Sequence, residues 1–397
     1  MSRSVLVLNC GSSSIKYQLI DAVSEVASAS GLVEKIGETE STITHKEGGE
    51  TFSADGGIAN HAVGLTLMRE MFREAGTDLV HAGVVAVGHR VVHGGPLFAA
   101  PVQVDDDVLA SIKSLSVLAP LHNPANVIGI EQARLIFPDL PHVAVFDTAF
   151  FRNLPAAAST YAIDQQTAAE HHIRRYGFHG TSHSYVSRQV AKVLDRPYLS
   201  LNQIVLHLGS GASASAIRGG HAVETSMGMT PLEGLVMGTR SGDIDPGVIF
   251  HLHRVAGLSI NEIDALLNRK AGLIGLAGVN DFRDLFRLIA AGDGNAQLAL
   301  DVWVHRVRKY VGAYYAVLGS VDAITFTAGV GENVAAVREL ILADLTGLGI
   351  AIDPALNAAP NGRARVISAP GARVAVLVVP TNEELAIAHA TVEVVGG

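Results

Sequence analysis

Three segments of this chain carry the side chains best suited to gripping an anion. Arg90 lies in His89-Arg90-Val91-Val92-His93-Gly94-Gly95, directly after an apolar run. Arg240 lies in Gly238-Thr239-Arg240-Ser241-Gly242-Asp243-Ile244-Asp245-Pro246, a stretch too polar and glycine-rich for a core. A guanidinium fork pairs bidentately with phosphate or carboxylate, so both positions suit an anionic substrate. The competing explanation is a structural Arg–Asp pair, for which Asp243 or Asp245 is at hand. The third segment is Arg175-Tyr176-Gly177-Phe178-His179-Gly180-Thr181-Ser182-His183. A histidine between glycines suits neither a helix nor a strand interior, which places His179 on a loop. His179 and His183 have no third ligand nearby of the kind zinc uses. Gly180-Thr181-Ser182-His183-Ser184 lacks the last glycine of a nucleophile elbow, which argues against a serine hydrolase.

Glycine-rich turns supply backbone N–H groups for the same purpose. Gly11-Ser12-Ser13-Ser14, with Lys16 two residues on, offers closely spaced N–H groups, three hydroxyls and a cation. It reads equally as a hairpin turn with solvated serines. His207-Leu208-Gly209-Ser210-Gly211 offers the same bare backbone. Gly329-Val330-Gly331-Glu332-Asn333 follows the apolar strand Ala323–Phe326 and precedes a helix expected from about Val334, an arrangement that faces a helix N-terminus toward an anion. Three such turns point to a phosphorylated ligand, although no Gly-x4-Gly-Lys-Ser/Thr, Gly-x-Gly-x-x-Gly or His-Glu-x-x-His motif is present. Asp147, at the end of a strand, and Glu383, in Thr381-Asn382-Glu383-Glu384, are the carboxylates available for Mg²⁺ or substrate; helix capping is the simpler role for either.

The elements that must hold these residues alternate between strand and helix, an α/β pattern. Strands are expected at Val5–Leu8, Ile15–Ile20, Thr42–His45, Thr51–Ser53, Val84–Val87 and His142–Phe146, and helices at Ala59–Ala75 and Ala296–Leu318. Leu8–Ser14 echoes Leu206–Ala212, each a strand followed by a Gly/Ser turn and a second strand; Gly11 and Gly209 are half a chain length apart. Two similar lobes follow, with a boundary expected within Ala149–Ala157.

Composition narrows the class. The chain has 397 residues, 48% hydrophobic and 17% charged, enough for two domains with substantial cores. A net charge of −9 without a basic block argues against nucleic-acid binding. The lone Cys10 excludes an intramolecular disulfide and a Cys-based cluster. No apolar run reaches membrane-spanning length and none near Met1 resembles a signal peptide, so a soluble, cytoplasmic protein with no membrane partner is expected.

Val5–Leu19 (VLVLNCGSSSIKYQL), the Arg90 segment, Arg175–His183, His207–Gly211, Thr230–Pro246, Thr327–Asn333 and Thr381–Glu384, in that order, resemble the acetokinase family from residue 5 to about 390. The resemblance implies an α/β fold of two ribonuclease-H-like lobes, the acetate and sugar kinase/Hsp70/actin fold, with a nucleotide cleft between them. It implies an N-terminal lobe of residues 1–150 plus about 384–397, and a C-terminal lobe of residues 151–383 carrying the nucleotide loops. The implied reaction is Mg²⁺-dependent (Mn²⁺ an alternative), reversible phosphoryl transfer between ATP and acetate, giving ADP and acetyl phosphate, in a homodimer. Asn9 and Glu383 would hold the metal, and Ser12, Ser14 and Lys16 would lie near the transferring phosphate. Arg90 would bind the acid and Asp147 would be the catalytic carboxylate, with His179 and Arg240 stabilising the transition state. His207, Leu208, Gly209, Ser210 and Gly211, then Asp281, Phe282 and Arg283, then Gly329, Val330, Gly331, Glu332 and Asn333 would bind the nucleotide. Val92, Leu121, Phe178 and Pro231 would enclose the substrate methyl group, with His122 beside them.

Two positions depart from the family pattern. Ser210 stands where asparagine is usual in His-Leu-Gly-Asn-Gly, which bears on the phosphoryl donor. Phe151 stands where histidine usually follows Asp-Thr-Ala-Phe. Propionate or butyrate kinase chemistry is the near alternative, since one methylene shifts discrimination by only ~1–3 kcal/mol. A nucleotide-switched chaperone or filament protein is the alternative from another class, and a sugar kinase a third.

Overall fold

The structure, a computed structural model, describes residues 3–79, 82–360 and 362–396. The chain divides into two compact units, Met1–Arg152 with Asn382–Gly397, and Asn153–Thr381. Among the described residues, no helix is long and apolar enough to cross a membrane.

The first unit is built on eight strands: β1 (Ser4–Cys10), β2 (Ile15–Asp21), β3 (Val26–Glu34), β4 (Thr42–Glu47), β5 (Glu50–Asp55), β6 (Val84–Val91), β7 (Val102–Gln103) and β8 (His142–Phe146), in the order β5-β4-β3-β2-β1-β6-β8-β7. The first five pair antiparallel in succession, whereas β1, β6 and β8 run parallel. Parallel strands covered on both faces read as continuous apolar runs, and β8 is buried at every position. Helix His61–Glu74 starts two residues later than its apolar pattern suggests, because the Asn60 side chain accepts from the Val63 N–H and caps it. It packs Leu65, Met68 and Phe72 onto a core that includes Leu6, Tyr17 and Val33. The sequence shows no clear sign of β3: Val26–Glu34 is mostly small or polar, and its pairing to β2 and β4 makes it a strand.

The last helix, Glu383–Gly396, packs on β1, β6 and β8 of the first unit. It comes this close because position 88 has no side chain: a Cβ there would lie 2.5 Å from Thr391 Oγ1 and 2.8 Å from Ile387 Cγ2. Its first turn carries Glu383 and Glu384, the end at which the helix dipole favours negative charge.

The second unit is built on β9 (Asn202–Leu208), β10 (Ala212–Arg218), β11 (His221–Thr225), β12 (Ala323–Thr327), β13 (Arg365–Val366) and β14 (Ala375–Val378), in the order β11-β10-β9-β12-β14-β13. The hairpin β9–β10 repeats the hairpin β1–β2, and β9, β12 and β14 run parallel as β1, β6 and β8 do. The Gly11 and Gly209 turns thus occupy equivalent places in two related sheets. The helical pattern around Trp303 is the 25-residue helix Gly294–Leu318, started by Asp293 accepting from the Asn295 and Ala296 N–H groups. Its Trp303, Val307, Val311 and Tyr314 are buried.

Two local expectations change. β6 runs on to Val91, so Arg90 sits inside the strand opposite Val145 of β8, not after it. Ala328–Asn333 is a short helix, not an open turn; Ala328 takes a left-handed φ of 64°, and the Glu332 carboxylate accepts from its N–H.

Candidate active site

In open α/β sheets, ligand-contacting residues gather beyond the carboxyl ends of parallel strands. In the first unit, Asn9, Arg90 and Asp147 occupy the carboxyl ends of the adjacent strands β1, β6 and β8. Arg90 donates to Asp147 through Nε (3.1 and 3.2 Å) and Nη2 (2.6 Å), and through Nη1 to Asn9 Oδ1 (3.4 Å). Glu383 Oε2 lies 4.0 Å from Arg90 Nε, and Lys16 Nζ is 2.5 Å from Glu384 Oε1. Burial works against the Arg90 charge, but Asp147 and Glu383 outweigh it and hold the guanidinium above its ordinary pKa. Burial pushes the Glu383 carboxyl up to about 7; Arg90 opposes the rise, Asp147 and Glu384 add to it, and Lys16 works against it. Arg90 is therefore both an anion-binding candidate and a member of an Arg–Asp pair, which joins the two explanations its position allowed.

The donor set fits a hard cation. Asn9 supplies an amide oxygen and Glu383 a carboxylate held at the cost of desolvation, beside a second carboxylate, Asp147. Mg²⁺ binds through one or two carboxylates and keeps several waters. Among the described residues no cluster of three or more His, Cys, Asp or Glu side chains forms a metal cage, and Mg²⁺ does not need one.

The Gly11–Ser14 turn closes through the Gly11 N–H to the Ser14 carbonyl (2.8 Å), and His61 Nε2 reaches the Gly11 carbonyl (2.7 Å). Ser12 and Lys16 are exposed, Ser14 half-buried. Asn126 ties this turn to the Arg90 strand: its Nδ2 donates to the Cys10 carbonyl (2.7 Å) and its Oδ1 accepts from the Val92 N–H (3.0 Å). Val92 is buried, Leu121 is partly exposed, and His122 is the N-cap residue of helix Asn123–Ile136. Phe151 is fully buried with its ring edge-on to Phe150, an apolar place that suits phenylalanine in its departure from the family pattern.

In the second unit, the tight turn Met237–Arg240 packs its backbone onto Gly272, where a Cβ would lie 2.6 Å from the Arg240 carbonyl oxygen. Arg240 Nη1 donates to the Pro231 carbonyl (2.8 Å), and no carboxylate pairs with it among the described residues. Burial pushes its pKa down. The local acids are engaged elsewhere: Asp243 accepts from Arg306, Tyr310 and the Gly234 N–H, and Asp245 from the Gly247 N–H. His179 takes a left-handed backbone (φ 58°) as the N-cap of helix Gly180–Val193, which matches a histidine unsuited to a helix interior. Its ring stacks on His207 at 4.2 Å. A Cβ placed on Gly211 would lie 3.5 Å from His179 Nε2 and 3.6 Å from Arg240 Nη2, so both side chains border the space that Gly211 leaves empty. Phe178 is fully buried, and Pro231 serves Arg240 through its carbonyl.

A cavity of about 520 Å³ opens beside this turn. Of the residues expected to bind nucleotide, Gly209, Ser210, Asp281, Phe282, Arg283, Gly329, Val330 and Asn333 line it. His207, Leu208, Gly211, Gly331 and Glu332 do not; Glu332 instead receives the N–H groups of Ala328 and Thr381 (2.8 and 3.0 Å). Five lining residues escape sequence reading: Gly238, Leu273, Asn280, Trp303 and Val334. Asn280 adjoins the Asp281–Arg283 segment and was within reach; Trp303 sits on a helix whose periodicity marks it only as core, and its ring meets Phe282 edge-on at 5.0 Å. A larger cavity of about 640 Å³ in the first unit, floored by His142, contains none of the expected site residues.

The sequence profile of the acetokinase family matches residues 4–389. The chain belongs to the acetokinase family. Its relatives in that family include the acetate kinase of Streptomyces avermitilis, 56% identical over 99% of this chain and 97% of that one. Solved structures similar to this acetokinase-family chain include an acetate kinase from Porphyromonas gingivalis (TM-score 0.93, 40% identity, 99% and 100% of the two chains) and a propionate kinase from Francisella tularensis (TM-score 0.93, 41% identity, 98% and 99%). As a member of the acetokinase family the chain is a phosphotransferase, and its fold is the α/β acetate and sugar kinase/Hsp70/actin fold.

Proposed function

We propose that this chain catalyses reversible transfer of the γ-phosphoryl group of ATP to the carboxylate of acetate, giving acetyl phosphate and ADP. The observation that carries the reading is Arg240: a mostly buried guanidinium without a carboxylate partner among the described residues, bordering with His179 the space over Gly211. Such a cation lacks only an anion. The curated relative named an acetate kinase, at 56% identity over nearly the full chain, supports the choice of reaction.

The acceptor carboxylate is ionised at neutral pH, with a pKa of roughly 4–5, so the reaction needs no strong base. Catalysis rests on alignment and on neutralising the charge of the migrating phosphoryl oxygens. Arg90 binds the acid, and Asp147, locked fork to fork with Arg90, orients that guanidinium. His179 and Arg240 donate to the phosphoryl oxygens. Ser12, Ser14 and Lys16 lie near the phosphate, and the cavity lined by Asp281–Arg283 and Gly329–Val330 receives the nucleoside. Asn9 and Glu383 would hold Mg²⁺ (or Mn²⁺), which supplies charge neutralisation on the phosphates. Val92, Leu121, His122, Phe178 and Pro231 are assigned by resemblance to the methyl end of the acid. A homodimer and a cytoplasmic location complete the proposal, on the same ground.

Hydroxylamine trapping tests it directly. With ATP, Mg²⁺ and acetate, acetyl hydroxamate and ADP are expected to form in equal amounts, and EDTA to abolish both. ATP hydrolysis without hydroxamate would overturn the reading. Since a similar structure is of a propionate kinase, propionate and butyrate are run in parallel, and a tenfold higher kcat/KM for either would change the acceptor.

A further inference from the structure

Behind His179 lies a row of buried groups that the proposed reaction does not use. Ser213 and Ser215 alternate on β10, so both side chains face the same way, toward helix Gly180–Val193. That helix presents His183 one turn after His179. The hydrogen bonds run in series: Ser215 Oγ to His183 Nδ1 (2.8 Å), His183 Nε2 to Ser213 Oγ (2.8 Å), and Ser213 Oγ to His179 Nδ1 (2.9 Å). Ser213, Ser215 and His183 are fully buried.

Proton counting restricts this series. Burial, with His207 nearby, holds His183 well below the usual imidazole range, so it is neutral and carries one N–H. Each hydroxyl has one proton. Three proton patterns satisfy all three bonds: two run along the series in opposite directions, and in the third both rings donate into Ser213. Ser215 makes no other side-chain hydrogen bond among the described residues. If Ser215 donates to His183 and Ser213 to His179, only a lone pair goes unused; either other pattern strands a buried O–H, on Ser215 or on Ser213, the costlier outcome.

We infer that Ser215, His183 and Ser213 form a relay of positioning residues that fixes the tautomer of His179, Ser213 donating to Nδ1 so that the ring proton sits on Nε2. That edge faces the space over Gly211 opposite Arg240 Nη2. His179 then presents an N–H donor to the phosphoryl group, with its inner nitrogen already occupied. The stacked His207 and Arg240 also face the ring. The inference rests on the proposed phosphoryl transfer for its purpose, and on hydrogen-bond geometry together with the neutrality of buried His183 for the tautomer.

¹⁵N-histidine NMR of the ligand-free full-length protein at pH 8, with His179→Gln used to assign the His179 signals, reads the tautomer without any activity. The expected wild-type pattern is a protonated Nε2 and a bare Nδ1; a protonated Nδ1 overturns the relay. Ser213→Ala is expected to mix or invert the two forms and to lower kcat roughly tenfold or more, with KM for ATP and acetate held within about threefold. Ser213→Thr, which keeps the hydroxyl, is expected to restore kcat and the Nε2–H form. An Ala variant with wild-type kcat and unchanged tautomer overturns the relay, as does one that loses only melting temperature. Should Ser213→Ala fail to fold, the wild-type pattern and Ser215→Ala, expected to weaken the Nε2–H preference, decide. If the wild type makes no acyl phosphate, the proposed reaction falls while the NMR pattern still judges the relay.

Discussion

The two units share a sheet and differ in what they place at its edge. β3-β2-β1-β6-β8 and β11-β10-β9-β12-β14 have the same strand order and directions, and each carries a glycine turn after its first central strand. In the first unit the charges answer one another: Arg90 with Asp147 and Glu383, Lys16 with Glu384. In the second, hydroxyls and imidazoles form the network, and among the described residues Arg240 bonds to a carbonyl and pairs with no carboxylate. One scaffold thus holds a self-compensated cluster of oxygen donors in one copy and an uncompensated cation in the other. The first kind of site suits a metal and a small carboxylate, the second a phosphoryl group.

Removing each arginine tests that contrast most severely. Arg240→Ala is expected to lower kcat by on the order of 10³, the scale of a lost phosphoryl-stabilising arginine, with a melting temperature near wild type because no carboxylate loses its partner. Wild-type turnover in that variant would break the comparison. Arg90→Ala is expected to behave differently, raising KM for acetate and also destabilising the fold by about 3–5 kcal/mol in urea titration, since Asp147, 1% exposed, is left without a counter-charge. Gly88→Ala sharpens the role of the last helix. Its methyl group collides with Thr391 and Ile387, and a loss of about 1–3 kcal/mol with reduced activity is expected.

Acidity supplies a gentler probe. His89 and His142, bonded to each other at 2.9 Å, and His183 are all held below the ordinary imidazole range by burial. Above about pH 6.5 they are neutral in both folded and unfolded chains. As pH falls through that value, the unfolded chain takes up protons the native one refuses, so urea midpoints should drop between pH 7.5 and 5.5. His142→Asn should show a shallower drop. Ser210→Asn is expected to have the smallest effect: Ser210 is exposed and lines the cavity, and one hydrogen bond of about 0.5–1.5 kcal/mol changes KM for ATP by ~2–10-fold, with stability unchanged.

Residue types and local spacing were enough to read much of this. Apolar runs gave β1, β2, β8 and β12, and the echo of Gly11 in Gly209 appears in the structure as paired hairpins. Arg240 and His179 stood out because their surroundings were wrong for a core, and Arg90 because a charged side chain follows an apolar run. What escaped depends on distant partners. β3 is a strand because of its neighbours, and Ala328–Asn333 becomes helical under a carboxylate cap from Glu332 that no glycine count reveals. Trp303 lines the cavity from a helix whose pattern speaks only of burial. The relay behind His179 joins a helix residue and the N-cap residue before that helix to two residues of a strand about thirty positions away, a relation no short motif contains.

The chain order of the Arg90 cluster has a consequence for biosynthesis. Asn9, Arg90 and Asp147 are translated early, but Glu383 and Glu384 follow the entire second unit. While the ribosome is still making residues 153–381, the groove along Gly88 has no helix to fill it and Arg90 lacks Glu383 and Glu384, two of the three acids that act on its charge. The unit that begins before the other is therefore finished after it, and a nascent chain stalled or clipped before Glu383 would expose the apolar sheet that the last helix covers.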